Sequence, residues 1–199
     1  MMQRTVIDST LAWPTKAHPK QVTLRDGSTV ICQPLQASDR DALLSFFGAI
    51  PEQERFFLKD DVTSAQVIGD WLRQVERAFA LVAETSGRIV GEAALVRRRG
   101  KARSHLADVR VVVAEDFRNR GLGTALIGDL CDLARDAGLN GVLFEAVEEA
   151  QQEALAAADA LGFVRLGRIY GGAIDREGRL HDIVLLAMPL RRWRESANP

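Results

Sequence analysis

The chain has 199 residues, 47% of them hydrophobic, and a formal charge of −1 from 26 basic and 27 acidic residues. This length and composition predict one globular domain with a core of ordinary size. The balanced charge gives no global field favouring nucleic acid, and no apolar run reaches the ~18 residues of a membrane-spanning helix. No apolar N-terminal segment ends in a small-residue cleavage site, so we expect a cytoplasmic protein without a membrane partner.

Neither the cysteines nor the histidines have the spacing of metal ligands. Cys32 falls in a strand-like context and Cys131 in a helix-like one, so the two are not expected to pair. The three histidines, at 18, 105 and 181, stand singly. The sequence therefore predicts no metal site.

The N-terminal half predicts two hairpins and two helices. Residues 1–20 hold two prolines and lack periodicity, which indicates a flexible or draped arm. Asp26-Gly27 is a strong turn signal within the first hairpin. The predicted elements are a hairpin over 21–33, a helix from Ser38 to about Ala49, a connection over 51–58, a helix from Thr63 or Ser64 to about Arg77, and paired strands over 78–84 and 88–96.

The C-terminal half alternates strands and helices without repeats, low-complexity linkers or a domain break. Its predicted elements are a strand ending at Val113, a helix to about Ala134, a strand over 141–147, a helix over 154–161, two strands over 163–169 and 180–188, and a tail over 191–199. The whole predicts a single α/β (α+β) domain over 21–190. We expect a mixed, mostly antiparallel sheet of six to seven strands, flanked by about four helices.

Residues 109–134 predict a strand, a glycine-containing basic turn and a helix. Gly121 and Gly123 remove side chains where a phosphate would approach the backbone, and Arg118 and Arg120 add positive charge. The first N–H groups of a helix have no partner within that helix. The stretch therefore predicts an anion-binding site.

The spacing of this turn separates it from two other phosphate loops. A Walker loop needs Gly-Lys-Ser/Thr, which is absent, and a dinucleotide fingerprint needs a third glycine that Ala125-Leu126 does not supply. The pattern Arg-x-x-Gly-x-Gly after a strand instead resembles the acyl-CoA pyrophosphate loop of the GNAT superfamily of N-acetyltransferases. Taken alone, a Gly-x-Gly turn is also a common helix start.

The order of the predicted elements is similar to that of GNAT folds over residues 21–190. The ending Gly162-Phe163 of the last helix is also similar to the family's usual one. Phrases such as ADVRVVVAEDFRNRGLG, and Arg55-Phe56-Phe57 with its preceding glutamate, look like the acetyltransferase domain of bacterial Pat-type protein lysine acetyltransferases. The resemblance implies an enzyme that moves an acetyl group from acetyl-CoA to a primary amine.

The resemblance also implies which residues hold the cosubstrate. Valine backbone groups would pair with the pantetheine chain, the loop would hold the pyrophosphate, and one glutamine would bond near the pantetheine. The implied residues are Val111, Val112, Val113, Arg118, Asn119, Arg120, Gly121, Leu122, Gly123, Thr124 and Gln151.

An amine must lose a proton before it attacks a thioester, and a nearby carboxylate assists that loss. The candidate catalytic residues are Asp108, Glu92 and Glu145, with Glu84 as a further carboxylate. The resemblance implies direct attack with Asp108 as the base, since Asp108 stands ten residues before Arg118, where Pat-like domains carry a glutamate resembling the catalytic base. The alternative is that Asp108 ends an edge or pairs with Arg110. Glu92 would line the acceptor site, and Glu145 would face either solvent or the cleft.

A general acid is harder to identify. Many GNAT enzymes carry a tyrosine four residues before the Gly-Phe ending, where this chain has Ala158. The only tyrosine, Tyr170, is expected to pack or to line the acceptor site. Because a CoA thiol has a pKa of ~8.5 by analogy with cysteine, it can leave without an acid. The basic run 97–103 is expected to be a solvated hairpin tip or a contact for an acidic partner or the CoA 3′-phosphate.

Three functions remain open at this point. The acceptor is a protein lysine, or it is a small amine, or the chain is an acyl-CoA-binding regulatory module without turnover. Turnover with acetyl-CoA separates the third function from the first two. A wide acidic groove favours a protein lysine and a closed pocket a small amine, and the chain is expected to be a monomer or a homodimer.

Overall fold

The computed structural model describes residues 13–14, 18–73, 77–191 and 193. These residues form eight strands and five α-helices, with 3₁₀ turns at Ala37–Asp39 and Glu115–Phe117. The strands are β1 (Lys20–Thr23), β2 (Thr29–Pro34), β3 (Ala78–Thr85), β4 (Arg88–Arg97), β5 (Leu106–Val113), β6 (Gly141–Val147), β7 (Val164–Ile174) and β8 (Leu180–Pro189). The helices are α1 (Arg40–Ala49), α2 (Glu52–Arg55), α3 (Ala65–Arg73), α4 (Leu122–Asp136) and α5 (Gln152–Ala160).

The eight strands form one sheet in the order β1-β2-β3-β4-β5-β6-β8-β7. β5 and β6 run parallel, and every other neighbouring pair is antiparallel. The mixed, mostly antiparallel sheet is therefore confirmed. It has eight strands, one more than the expected six to seven, because both strands of the predicted hairpin over 21–33 join the same sheet. The added helix α2 lies in the predicted connection 51–58.

The helices cover both faces of the sheet. α4 buries the predicted leucine stripe, including Leu126 and Leu130, on one face. On the opposite face, Phe47 of α1 packs with Ile68 of α3 in a second cluster. Replacing one of these fully buried large side chains by alanine costs about 2–5 kcal/mol. The two apolar clusters hold the sheet between them and fix where β5 and α4 meet.

Two predicted helix starts compare differently with the structure. The first helical segment is capped by Gln36, whose N–H donates to the Asp39 carboxylate at 2.8 Å, rather than at Ser38. Ser64 does cap α3, since its hydroxyl accepts the Val67 N–H at 3.4 Å. The predicted continuation of that helix over 74–76 lies outside the described residues.

The structure describes little of the two chain ends, and it shows both cysteines unpaired. Most of the predicted arm 1–20 and most of the tail 191–199 lie outside the described residues, although Trp13 is buried against Phe79 with ring centroids 5.9 Å apart. Cys32 and Cys131 are buried free thiols. Burial raises the pKa of the Cys32 thiol to about 11. Within the described ranges, no helix is both long and apolar enough to cross a membrane.

Candidate active site

A wedge-shaped gap opens between β5 and β6. Their pairing ends at Val109 and Phe144. Beyond that pair β5 continues to Val113 and β6 to Val147, without further pairing between them. We call the Val109–Phe144 end of this gap the apex. Backbone groups beyond the apex are free to bind an extended ligand between the strands.

Backbone groups of β5 face this gap. The Ala114 N–H donates to the Val90 carbonyl of β4 at 2.9 Å. Because such groups alternate along a strand, the N–H groups of Val111 and Val113 point away from β4, toward the gap. The Val112 N–H points to β4 instead, and its side chain packs with α1 and α3. The predicted backbone contacts to a pantetheine chain therefore apply to Val111 and Val113.

The turn after β5 leads directly into the N-terminus of α4. Asn119 and Gly121 have φ of 58° and 90°, a left-handed conformation that favours glycine at 121. The first bond within the helix runs from the Ala125 N–H to the Gly121 carbonyl at 3.0 Å. The N–H groups that precede this first bond belong to Leu122, Gly123 and Thr124. This arrangement is a helix N-terminus with donors available to an anion.

The two predicted phosphate-binding arginines are engaged by the protein itself. The Arg118 Nε donates to the Val113 carbonyl at 3.1 Å, and its Nη1 donates to Glu54 at 3.1 Å. This bond to Glu54 raises the pKa of the guanidinium. Arg120 pairs with Asp26 of the first hairpin turn at 2.8 Å. Arg118 therefore braces α2 against the end of β5, and both arginine charges face a carboxylate.

Arg25, in the turn of the first hairpin, packs against the loop and was not predicted from the sequence as a site residue. The Arg25 N–H donates to the Arg120 carbonyl at 2.9 Å. Its Cγ and Nε lie 3.5 Å from the position that a Cβ on Gly121 would take. The side chain is exposed, and within the described part of the chain it has no ion-pair partner. Nothing in the sequence connects this hairpin residue with a loop so far along the chain.

A cavity of about 200 Å³ extends from the loop along β5. Its lining includes nine of the predicted cosubstrate residues: Val111, Val112, Val113, Arg118, Asn119, Gly121, Gly123, Thr124 and Gln151. The lining also includes Arg25, alanines of α5, and Ile50, Glu54, Leu58, Phe117, Ala150 and Glu153. The two other predicted residues are not among the lining residues. Arg120 is turned to Asp26, and the Leu122 side chain is 1% exposed in the core, so its contribution is limited to the backbone.

Gln151 lies at the end of β6, on the side of the gap opposite β5. Its Oε1 accepts the Val147 N–H at 2.8 Å, and its own N–H donates to the Val147 carbonyl at 2.9 Å. These two bonds satisfy the last residue of β6 at the mouth of the gap. The predicted bond near a pantetheine therefore falls to the amide nitrogen of the side chain, because the side-chain oxygen is already bonded.

Four charged side chains form a network at the apex, on the sheet face that carries α1 and α3. Two nitrogens of Arg98 donate to both oxygens of Asp108 at 2.7–3.1 Å. Arg98 also contacts Glu145 at 3.2 Å, and Lys59 donates to Glu145 at 2.9 Å. We call Lys59, Arg98, Asp108 and Glu145 the apex network. The alternative pairing of Asp108 with Arg110 is wrong, and Arg98, expected at a solvated tip, belongs to the site.

Glu92 lies on the same face in a different environment. Its side chain is 0% exposed and accepts from Arg110 at 3.2 Å, while the Arg110 guanidinium stacks on Trp71, 3.5 Å from the ring centroid. Glu92 Oε2 has no partner among the described residues. Burial raises the pKa of Glu92, whereas the Lys59 hydrogen bond lowers the pKa of Glu145. Glu92 therefore accepts a proton more readily than Glu145 does.

The residues discussed as general acids lie away from the apex. Ala158 lies on the buried face of α5, fully within the core. Tyr170 is 82% exposed on β7, the outermost strand, so the expectation that it packs is wrong. The reason is that β7 is an edge strand whose residues 164–170 are exposed on both faces. No tyrosine therefore reaches the gap.

Residues 50–60, which we call the strap, cross the gap on the apex-network side. Leu58 lines the cavity, and Lys59 next to it reaches Glu145 of β6. The Phe57 ring makes an edge contact with His181 of β8, with ring centroids 5.3 Å apart. The strap thereby connects both sides of the gap and narrows the approach to the apex.

Comparison with known proteins agrees with this geometry. The profile of the acetyltransferase (GNAT) family matches residues 43–163, more than half of the chain. A curated relative, the glucosamine 6-phosphate N-acetyltransferase of Trypanosoma brucei brucei, is 41% identical over 71 residues. That match covers 33% of this chain, which spans about half (47%) of the relative's length.

Solved structures share the fold at low sequence identity. The GNAT domain of PAT from S. lividans is 20% identical, with a TM-score of 0.70 over 85% of this chain and 96% of that one. yncA of Salmonella typhimurium, solved with its cofactor acetyl-CoA, is 19% identical, with a TM-score of 0.71 over 82% and 95%. A GCN5-related N-acetyltransferase from Kribbella flavida is 23% identical, with a TM-score of 0.70 over 80% and 97%.

The family profile covers the strap, the parting strands and the helix N-terminus in one match. The family's cosubstrate, acetyl-CoA, combines an extended pantetheine chain with a pyrophosphate, which suits a strand gap ending at an anion site. The chain belongs to the GNAT family of acetyltransferases.

Proposed function

We propose that this protein is an acetyl-CoA-dependent N-acetyltransferase whose acceptor is the side-chain amine of a lysine. The observation that carries the proposal is the junction of the β5–β6 gap with the N-terminus of α4. A pyrophosphate bound there aligns the pantetheine with Val111 and Val113. The four residue-to-residue steps from Val113 back to Val109 span ~13 Å at ~3.3 Å per step, so the thioester lies toward the apex.

Glu92 is the general base in this proposal. A carboxylate accepts a proton more readily when its pKa is raised, and burial raises the pKa of Glu92. Its unbonded Oε2 on the apex-network face supports proton transfer through one water. Asp108 has both oxygens bonded to Arg98, which suits positioning better than proton transfer.

The lysine acceptor is supported by the Lys59–Glu145 ion pair. This pair is a lysine ammonium bound 2.9 Å from a carboxylate next to the apex. An incoming lysine side chain offers the same group, so Glu145 is the proposed ammonium-binding residue. Its lowered pKa keeps it charged for that purpose.

A small amine is the second candidate acceptor. It is favoured by the strap, since the Phe57–His181 contact narrows the approach to the apex. The Trypanosoma relative, named for a sugar phosphate acceptor, belongs to this class. Release of CoA thiol, measured with a lysine peptide, glucosamine 6-phosphate and a polyamine, decides between the two. We expect the highest kcat/KM with the lysine peptide. A higher kcat/KM with a small amine would contradict the lysine assignment. No release of CoA thiol with any of the three amines would contradict the proposal that the protein is an N-acetyltransferase.

Arg25→Ala is expected to weaken acetyl-CoA binding about tenfold, because one charge-assisted contact to a phosphate contributes ~1.5 kcal/mol. Isothermal titration at low and moderate salt measures the loss, which should shrink as salt screens the charge. Arg103→Ala, at the exposed tip of the β4–β5 hairpin, is the matched control and should bind as the parent does. Equal affinities for the two variants would show that Arg25 does not contact the cosubstrate.

A further inference from the structure

Lys59 carries an amino group at the acceptor side of the apex. Its Nζ lies 2.9 Å from Glu145 Oε2, and Glu145 directly follows Phe144, the last β6 residue paired with β5. The side chain is 61% exposed, so it is free to move. The residue before it, Leu58, lines the cosubstrate cavity. The chain thus holds its own primary amine where the proposed function requires an acceptor amine.

Lysine is scarce in this sequence, which gives the position of Lys59 more weight. The chain has four lysines, at 16, 20, 59 and 101. Lys20 pairs with the buried Asp129 of α4, and Lys101 lies exposed at the β4–β5 hairpin tip. Lys16 lies outside the described residues. Of the three described lysines, Lys59 is the one that reaches the gap.

We propose that Lys59 is an acceptor in cis, acetylated on Nζ by acetyl-CoA bound to the same chain; this rests on the proposed function. The Lys59 ammonium first loses one proton to solvent water, and Glu145 stays ionised. The neutral amine then forms the N–C bond to the acetyl carbonyl as the C–S bond breaks. The second proton ends on the departing CoA thiol, so the products are Nε-acetyl-lysine 59 and CoA.

The modification changes the acceptor site. Acetylation removes the positive charge of Lys59 and with it the ion pair to Glu145. Glu145 is then available to bind the ammonium of an external acceptor. Before acetylation, Lys59 occupies that carboxylate and competes with the external amine. Lys59 therefore acts as an internal substrate whose acetylation opens the site.

The test is to incubate the full chain with acetyl-CoA and follow the protein by intact mass and peptide mapping. We expect one acetyl group per chain at Lys59, formed at least about tenfold faster than at Lys101, because a positioned amine has a high effective concentration. The rate per chain should not change on dilution. Equal acetylation of both lysines, or a rate that scales with protein concentration, would overturn the proposal.

Three variants separate catalysed transfer in cis from other causes. Lys59→Arg keeps a cation beside Glu145 but should lose the added acetyl group, whereas the matched Lys101→Arg should retain it. Gly123→Glu, designed to block acetyl-CoA binding, should also lack the acetyl group on Lys59. If Lys59 of this variant is still acetylated, the transfer is spontaneous rather than catalysed. If CoA thiol is released with external amines but Lys59 is not acetylated, the inference about Lys59 is wrong and the proposed function stands. If acetyl-CoA does not bind, the proposed function is wrong as well.

Discussion

Gly123→Glu is expected to raise the Kd for acetyl-CoA roughly 100-fold, equivalent to ~2.7 kcal/mol. The added carboxylate enters the cavity at the first turn of α4, where a pyrophosphate would accept hydrogen bonds from the helix N-terminus. The same change should not destabilise the fold. An acidic residue in the first turn of a helix contributes about 0.3–1 kcal/mol of stability, and replacing glycine within a helix adds a similar gain.

Gly123→Ala is the matched control for this variant. A Cβ at position 123 would lie 3.8 Å from Val113 Cγ2, an ordinary contact, and Gly123 has no positive φ. Alanine should therefore bind acetyl-CoA with much less loss than glutamate. Titration calorimetry gives both affinities, and thermal melts check that neither variant has a lower Tm. Unchanged affinity in the glutamate variant would remove the loop from the cosubstrate site.

Glu92→Gln is expected to lower kcat by about 10²–10⁴-fold, the usual contribution of a positioned base, while acetyl-CoA affinity stays within about twofold. The amide has the shape of the carboxyl and still accepts a hydrogen bond from Arg110, but it cannot take a proton from the acceptor amine. Steady-state kinetics with saturating acetyl-CoA measures kcat, and calorimetry measures the affinity.

The pH profile distinguishes a base from a merely structural residue. Ionised Glu92 is the active form, so kcat should rise with pH through a pKa above the ordinary 4.5 of a glutamate. Glu92→Gln should lose that limb. Asp108→Asn, which breaks the pair with Arg98, should keep the limb and lower kcat by at most about tenfold. If Asp108→Asn lost the pH limb and Glu92→Gln kept it, Asp108 would be the general base.

The cosubstrate half of the site was predictable because it is local in sequence. The valine run, Gly121 and the leucine stripe of the following helix specify strand, turn and helix within one stretch, and nine predicted residues line one cavity. The sheet type followed from the alternation of strands and helices. Such features depend on backbone conformation and on periodicity, both of which neighbouring residues determine.

The acceptor half was less predictable because it depends on long-range contacts. Arg98 stands in a basic run typical of a solvated tip, and only the β4–β5 register brings it to Asp108. Glu54 and Arg118 are 64 positions apart and meet because α2 crosses the gap. Arg25 reaches the loop through the docking of the first hairpin turn. Charge pairing between distant segments leaves no periodic signal, so the roles of these residues required the structure.

The central claim is that acetyl-CoA binds along the β5–β6 gap with its pyrophosphate at the N-terminus of α4. Calorimetric titration of the unmodified chain with acetyl-CoA tests it most directly, in parallel with the Gly123→Glu and Gly123→Ala variants. The account predicts one site per chain, lost in the glutamate variant and largely kept in the alanine variant. Absence of binding, or binding that the glutamate variant leaves unchanged, would contradict it.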